Sequence, residues 1–298
     1  MKMPRVSVCM ITYNHEKYIG QAIEGVLNQV VDFEVEFIIS DDASSDRTSE
    51  IVKSYLKSHP KAYLMKYTRH SINKGMMANF IWALEKCKGE FIALCEGDDY
   101  WVDSLKLKKQ ISILESDSDI VGVFHNAEVI SNLCKSFLCC DFLDSQIVSR
   151  ELVIFKGGGL FPTASLLFRN ILEIEELHNM KKYLSGDRAL IYQLLVYGDI
   201  YYLNEVMSVY RVHEEGVYSQ SYFDRDKSLN IYYSNIDLIN DYELKFDDSY
   251  SKFFFNAKSY QLRRVMLKEK SGLTKIILNF KNLRIKDFYY LINNHLRD

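Results

Sequence analysis

Two hydrophobic periods alternate along the first third of the chain. The short, mainly apolar runs 6–12, 35–40 and 91–95 have the length and composition of buried strands. Residues 62–67 read as a further strand. Between these runs, apolar residues recur at helical spacing. Ile19, Ala22, Ile23, Val26 and Leu27 form one face, and Ile51, Val52, Tyr55 and Leu56 a second, with Pro60 beyond its end. Met76 or Met77, Phe80, Ala83 and Leu84 form a third that stops near Gly89. Strands alternating with helices predict an α/β fold with a mostly parallel central sheet flanked by helices. In such sheets ligands bind at the carboxyl ends of the strands.

Further along, a helix is expected over about 103–116 and a strand over 120–130. Residues 131–160, which include Cys139-Cys140 and Gly157-Gly158-Gly159, read as loops with one or two strands. The apolar run Leu166-Leu167-Phe168 follows Pro162-Thr163-Ala164-Ser165. Gly186-Asp187-Arg188 opens a helix that ends at Gly198. Residues 200–203 and 207–211 read as a strand pair around Asn204-Glu205. The tail from about Lys227 is helical by composition. Within it Ile276, Ile277, Phe280 and Leu283 make an apolar stripe, with Lys275, Lys281, Arg284 and Lys286 close by.

Composition narrows the class. At 298 residues, 48% hydrophobic and 26% charged, the chain suits a soluble globular protein with a substantial core. Its net charge of −3 gives no general case for nucleic acid. No apolar run reaches transmembrane length and no secretory leader pattern opens the chain, so a cytoplasmic protein is expected. The six cysteines form no C-x-x-C pair and read as reduced. Charge is placed unevenly: residues 252–298 hold 11 Lys and Arg against 3 Asp and Glu. That bias gives the tail two readings: peripheral contact with anionic lipid at the inner face of the cell membrane, or a helical bundle packed on the rest with a solvated basic face.

The candidate chemistry sits at strand ends. Glu96-Gly97-Asp98-Asp99 packs three carboxylates into four residues after an apolar run. Like charges so close call for a cation or a set of donors. Hard divalent ions with substrate phosphates meet that need, while a solvated acidic turn is the plain alternative. Thr12-Tyr13-Asn14 and Asp41-Asp42 occupy the corresponding ends of two other strands, so all three point at one crevice.

These residues, in order, resemble a known family. The segments Val6-Ser7-Val8 to Thr12-Tyr13-Asn14, Ser40-Asp41-Asp42-Ala43-Ser44-Ser45-Asp46-Arg47-Thr48, Asn73-Lys74-Gly75 and Glu96-Gly97-Asp98-Asp99 are similar to the nucleotide-binding half of family-2 glycosyltransferases of GT-A fold. Gly186-Asp187 and Tyr210-Arg211-Val212-His213 extend the resemblance to about residue 215. It implies a Rossmann-like domain over 1–222, with a nucleotide-binding half of about 1–101 and an acceptor half of about 102–222. Residues 223–298 then form a helical basic extension.

It further implies an inverting, Mn²⁺- or Mg²⁺-dependent transferase. Its donor would be a nucleotide-sugar, with UDP the favoured nucleotide. Its acceptor would be a glycan or lipid-linked glycan of surface polysaccharide synthesis. Thr12, Tyr13, Asn14, Asp41, Asp42, Asn73, Lys74 and Asp98 are the expected donor contacts, with Asp41 favoured for the base. Asp99 and His213 are the expected metal ligands and Asp187 the expected general base. Glu96 stands where the family usually has Asp. The residues' own chemistry leaves rivals open. Asp187 is also a good helix cap, His213 could be structural, and Asn73-Lys74 could be a plain polar turn. Tyr100 and Trp101 could flank the sugar or anchor the loop. A nucleotidyltransferase, or a nucleotide-sugar-binding protein without activity, is the alternative function. The first would normally carry a Gly-rich basic loop where Thr12-Tyr13-Asn14-His15 stands.

Overall fold

The apolar runs assemble into one twisted sheet. The structure is a computed structural model that describes residues 3–131, 134–214, 216 and 224–268. Strand β1 (Val6–Thr12) lies between β2 (Val35–Asp41) and β4 (Phe91–Leu94), parallel to both. Strand β3 (Met65–Arg69) continues the parallel set outside β2. On the other side, β9 (Leu167–Arg169) pairs antiparallel with both β4 and β6 (Ile120–Ser131). Strand β10 (Asp199–Val212) runs parallel to β6, and β5 (Tyr100–Trp101) closes that edge. Two short strands, β7 (Cys134–Leu138) and β8 (Gln146–Val148), pair with β6 and β10.

Helices cover both faces because the buried strands are apolar on both. Val6, Val8 and Met10 of β1 point to one face. There they meet α1 (Ile19–Leu27), α2 (Thr48–Ser58) and α4 (Lys106–Ser116) through Ile23, Val52 and Leu107. Cys9, Ile38, Ile92 and Leu94 point to the other face, against α3 (Met76–Lys86) and α7 (Gly186–Tyr197). Each such side chain taken fully out of water contributes about 1.5–3 kcal/mol, so the two clusters fix the strand register. Helices α5 (Arg150–Lys156) and α6 (Ile174–Met180) flank α7.

The tail forms α8 (Arg225–Glu243) and α9 (Ser251–Lys268). They pack on the α7 side through Leu238, Ile239, Tyr242, Phe254 and Ala257. A buried ion pair, Lys258 Nζ to Glu243 Oε2 at 3.1 Å, joins the two helices. The stripe at Ile276, Ile277, Phe280 and Leu283 lies outside the described residues, so the structure does not bear on its lipid reading. Among the described residues no helix is long and apolar enough to cross a membrane.

Three local expectations change. Residues 62–64 form a 3₁₀ turn and the strand starts at Met65. The expected strand pair at 200–211 is one strand: both halves of β10 run parallel to β6, and the register shifts between Leu203 and Val206. Asn204 produces this bulge rather than a turn. Its N–H donates to Ser145 Oγ at 2.9 Å and its amide to Leu143 O at 2.7 Å, so turn-forming chemistry is satisfied without reversing the chain. Residues 131–160 hold β7, β8 and also α5, whose N-cap Ser149 accepts from the Leu152 N–H at 3.3 Å. Cys9, Cys87, Cys95, Cys139 and Cys140 are free thiols.

Candidate active site

The turns after β1 and β2 are built as one unit. Asn14 and Ala43 both adopt the left-handed region, φ 56° and 62°. Asn tolerates this, while Ala there is strained and must be held by its surroundings. Asp41 supplies part of the hold, its Oδ1 accepting the Ser44 N–H at 2.8 Å. The Asn14 N–H donates to Ser44 Oγ at 3.0 Å, and Asn14 Oδ1 accepts the Ser45 N–H at 2.8 Å. Asp46 accepts the Glu16 N–H at 2.9 Å. Asp42 reaches the next turn, taking the N–H groups of Lys74 and Gly75 at 2.7 and 2.9 Å.

The acidic turn after β4 docks on the same unit. Gly97 approaches β1 so closely that a Cβ there would lie 2.7 Å from Thr12 Oγ1 and 2.9 Å from His15 Nδ1. Asp98 Oδ2 stands 3.1 Å from His213 Nε2 and 3.7 Å from His15 Nε2. Burial works to raise the Asp98 pKa, but the His213 hydrogen bond and the two imidazoles outweigh it, and the group is held below its ordinary value. Asp99 behaves oppositely. It is buried, its Oδ1 accepts the Arg211 N–H at 2.9 Å, and burial with the charges of Asp98 and Glu96 pushes its pKa well up. Asp99 Oδ2 has no hydrogen-bond partner among the described residues. Glu96 is pushed up to about 8 by burial and by Asp98 and Asp187, so it is mostly neutral at pH 7.

Arg211 clamps this turn to β10. It donates to Asp98 O at 2.5 Å and to Gln21, and its guanidinium lies 4.2 Å from the Tyr100 ring centroid and 5.2 Å from that of Tyr18. Trp101 is an anchor: it is buried and its Nε1–H donates to Ala164 O at 2.8 Å.

Opposite the acidic turn, Asp187 occupies the first turn of α7, where the helix dipole favours a carboxylate. Its Oδ1 accepts the Arg188 N–H at 2.7 Å. Beneath it lies the 3₁₀ turn Gly157–Leu160. A Cβ on Gly158 would stand 2.0 Å from Asp187 Oδ2, whereas one on Gly159 would meet nothing within 4 Å. Arg188 grips the same turn, donating to Lys156 O at 2.8 Å and to the Tyr192 hydroxyl at 3.1 Å.

The turns after β1, β2 and β4, the end of β10 and the start of α7 border one cavity of about 970 Å³. Of the residues singled out in the sequence, Thr12, Tyr13, Asn14, Asp42, Asn73, Glu96, Asp98, Asp187 and His213 line it. Tyr13 stands exposed beside it, and Thr12 Oγ1 is buried with no hydrogen-bond partner among the described residues. Asp41, Lys74 and Asp99 are not brought to the lining. Asp41 is fully buried and accepts the Tyr67 hydroxyl at 2.7 Å, while the Lys74 ammonium lies 6.0 Å from the Trp82 ring centroid. The sequence reading missed His15, Thr163 and Arg211, and it missed Ser228, Ile231, Tyr232 and Arg264, which also line the cavity. Tyr210-Arg211 stood beside the expected ligand His213 and carried a signal; the α8 and α9 residues carried none.

A parallel Rossmann-like half with acidic strand-end turns on a nucleotide-sized cavity defines the GT-A class of fold. The profile described as Glycosyl transferase family 2 matches residues 7–134. A protein of Mycobacterium tuberculosis is 33% identical over 223 residues, 74% of this chain and 63% of its own length. The chain thus spans less than two thirds of that relative. The Campylobacter jejuni GalNAc(5)-diNAcBac-PP-undecaprenol beta-1,3-glucosyltransferase is 25% identical over 295 residues, 95% of this chain and 90% of that one. Among solved structures, Staphylococcus aureus TarS 1-349 in complex with UDP-GlcNAc superposes with a TM-score of 0.61 at 18% identity, covering 88% of this chain and 81% of TarS 1-349. Residues 7–134 thus carry the family-2 glycosyltransferase profile, on a fold shared with GT-A glycosyltransferases.

Proposed function

We propose that the protein is a metal-assisted inverting glycosyltransferase that moves a sugar from a UDP-sugar to the hydroxyl of a glycan or lipid-linked glycan. One observation carries this reading: Asp98, flanked by His213 and His15, and Asp187, on its glycine turn, border the same cavity. The first suits the diphosphate end of a donor and the second the hydroxyl of an acceptor. The fold shared with TarS, which binds UDP-GlcNAc, supports the donor class.

The donor nucleotide lies across the ends of β1 and β2. Tyr13 covers the base or ribose with its ring. Asp42 keeps acceptor capacity beyond its bonds to Lys74 and Gly75 and takes the N3–H of uracil. The buried Asp41 holds the turn's shape instead.

The donor set suits a divalent cation. Asp98 has a depressed pKa and faces His213, whose Nδ1 has no hydrogen-bond partner among the described residues. Among the described residues no three His, Cys, Asp or Glu side chains form a closed metal cage. Mg²⁺-type sites need only one or two protein carboxylates and complete their shell with water and substrate phosphate, and Asp98 supplies one such carboxylate. Asp98 and His213 would hold the ion, and a bound ion there would offset the negative charge of the departing diphosphate. Asp98 thereby takes the metal role that the sequence reading gave to Asp99. Asp99, closed off from the cavity, secures the Arg211 backbone.

Asp187 accepts the acceptor's proton as the acceptor oxygen attacks the anomeric carbon. The bond from that carbon to the diphosphate oxygen breaks on the opposite side, so the configuration inverts and the nucleoside diphosphate leaves. Isothermal titration with UDP tests the donor half. Wild-type protein binds UDP with Mn²⁺ and loses affinity in EDTA. Asp98→Asn removes the metal dependence and Asp99→Asn keeps it. Equal UDP affinity with and without metal in the wild type would refute the metal role.

A further inference from the structure

The cavity continues past Asp187 to a wall that donor chemistry does not use. Ser228, Ile231 and Tyr232 of α8 and Arg264 of α9 supply it. Both helices are fastened on the Asp187 side. Ser234 Oγ of α8 accepts the Leu184 N–H at 2.9 Å, three residues before Asp187. Tyr260 of α9 packs on Phe155 of α5, ring centroids 5.5 Å apart, and α5 runs directly into the glycine turn under Asp187. A base must face the hydroxyl it deprotonates, so the wall that adjoins Asp187 faces the acceptor.

The chemistry of this wall narrows the acceptor. The Arg264 guanidinium lies 5.4 Å from the Tyr232 ring centroid and 5.8 Å from that of Tyr260, and it donates to both hydroxyls at 3.3 and 3.4 Å. These two hydroxyl bonds orient a planar fork whose geometry matches phosphate oxygens. The lining near the strand ends and α7 carries the acids Asp42, Asp98 and Asp187, with Lys17 and Arg211 also on the cavity. An acceptor bearing an anion would be repelled there unless that anion met a cation. Arg264 supplies a cation on this wall, and Ile231 and Tyr232 give it apolar surface.

We propose that α8 and α9 form the acceptor subsite and that it takes an acceptor carrying a phosphate or diphosphate group, which Arg264 binds. The proposal rests on the reading of Asp187 as the base. The C. jejuni relative is named for a diphosphate-linked acceptor, which agrees with this class.

The test uses the full chain saturated with UDP and Mn²⁺, so that the donor site is closed to added phosphate. Geranyl diphosphate and inorganic diphosphate are titrated calorimetrically into the wild type, Arg264→Gln, Arg264→Lys and Arg263→Gln, the last an exposed neighbour off the cavity. The expected result is wild-type binding that weakens at least about tenfold in Arg264→Gln, recovers partly in Arg264→Lys and is unchanged in Arg263→Gln. UDP affinity stays level in all four, which also shows that the variants fold. Tighter binding of the geranyl compound identifies a lipid-linked source; equal binding identifies a soluble phosphosaccharide. Undiminished binding in Arg264→Gln, or no binding to the wild type, overturns the proposal. Failure of the donor reading would appear separately, as absence of UDP binding in the wild type.

Discussion

The two sides of the cavity are held by different physics. On the side proposed for the donor, the turns after β1 and β2 and the 73–75 turn are laced by polar bonds: Asn14 to Ser44 and Ser45, Asp46 to Glu16, and Asp42 to Lys74 and Gly75. On the Asp187 side, placement depends on contact. Gly158 leaves no room for a side chain, and α8 and α9 close the wall from behind. Bonds of the first kind fail one at a time and in moderate steps, each contributing about 0.5–1.5 kcal/mol. Contacts of the second kind fail abruptly, because a carboxylate displaced by an ångström no longer reaches the reacting hydroxyl.

The comparison predicts a graded series. Asp187→Asn has the largest effect: transfer falls about 10²–10⁴-fold while UDP affinity holds within about twofold, read by single-turnover transfer and calorimetry on the same preparation. Unchanged turnover would remove Asp187 from the base role. Gly158→Ala follows, with kcat down about 10²-fold and donor affinity unchanged, because its methyl collides with the Asp187 carboxylate. Gly159→Ala, where a Cβ meets nothing, stays near wild type. If the two alanine variants behave alike, the glycine turn does not position the base.

Asp42→Ala is milder. Two backbone N–H groups lose their acceptor, the 73–75 turn loosens, and UDP binds about tenfold more weakly with little change in kcat at saturation. A loss of kcat with UDP affinity intact would place Asp42 outside the donor site.

Glu96→Gln has the smallest effect and reads as pH dependence. The folded pKa of Glu96, about 8, lies above its ordinary value of 4.5, so the folded state holds the proton more tightly. Its contribution to stability is full below about pH 4.5 and is lost as pH rises through about 8. In metal-free protein, Glu96→Gln, which cannot ionise, therefore gains in Tm over the wild type as pH rises through that window. A Tm difference flat with pH would mean that Glu96 titrates as an ordinary carboxyl.

The same contrast explains what the sequence could disclose. The parallel half was legible because its strands are short apolar runs buried on both faces and its helices show one apolar face, as in Ile19, Ala22, Ile23 and Val26. The donor-side residues fall within a few positions of strand ends, so local order places them in space. Which of two adjacent acids faces the cavity was not legible, for Asp41 against Asp42 or for Asp98 against Asp99. Alternation along a strand decides it, and it ends where these turns begin. Gly157-Gly158-Gly159 was visible as a motif, but its role depends on a carboxylate 29 residues later. Arg264 reaches the cavity only through the packing of α9 on α8 and α5, contacts that no local pattern encodes.

The central claim is that donor diphosphate and acceptor hydroxyl meet in one cavity, with Asp98 at one end and Asp187 at the other. The most direct measurement is anomalous diffraction at the manganese edge from crystals grown with Mn²⁺ and a non-transferable UDP-sugar analogue. The account predicts a manganese peak bonded to Asp98 and His213 and to the diphosphate, with the sugar turned towards Asp187. A peak on Asp99 without Asp98, or a nucleotide bound outside this cavity, would contradict it.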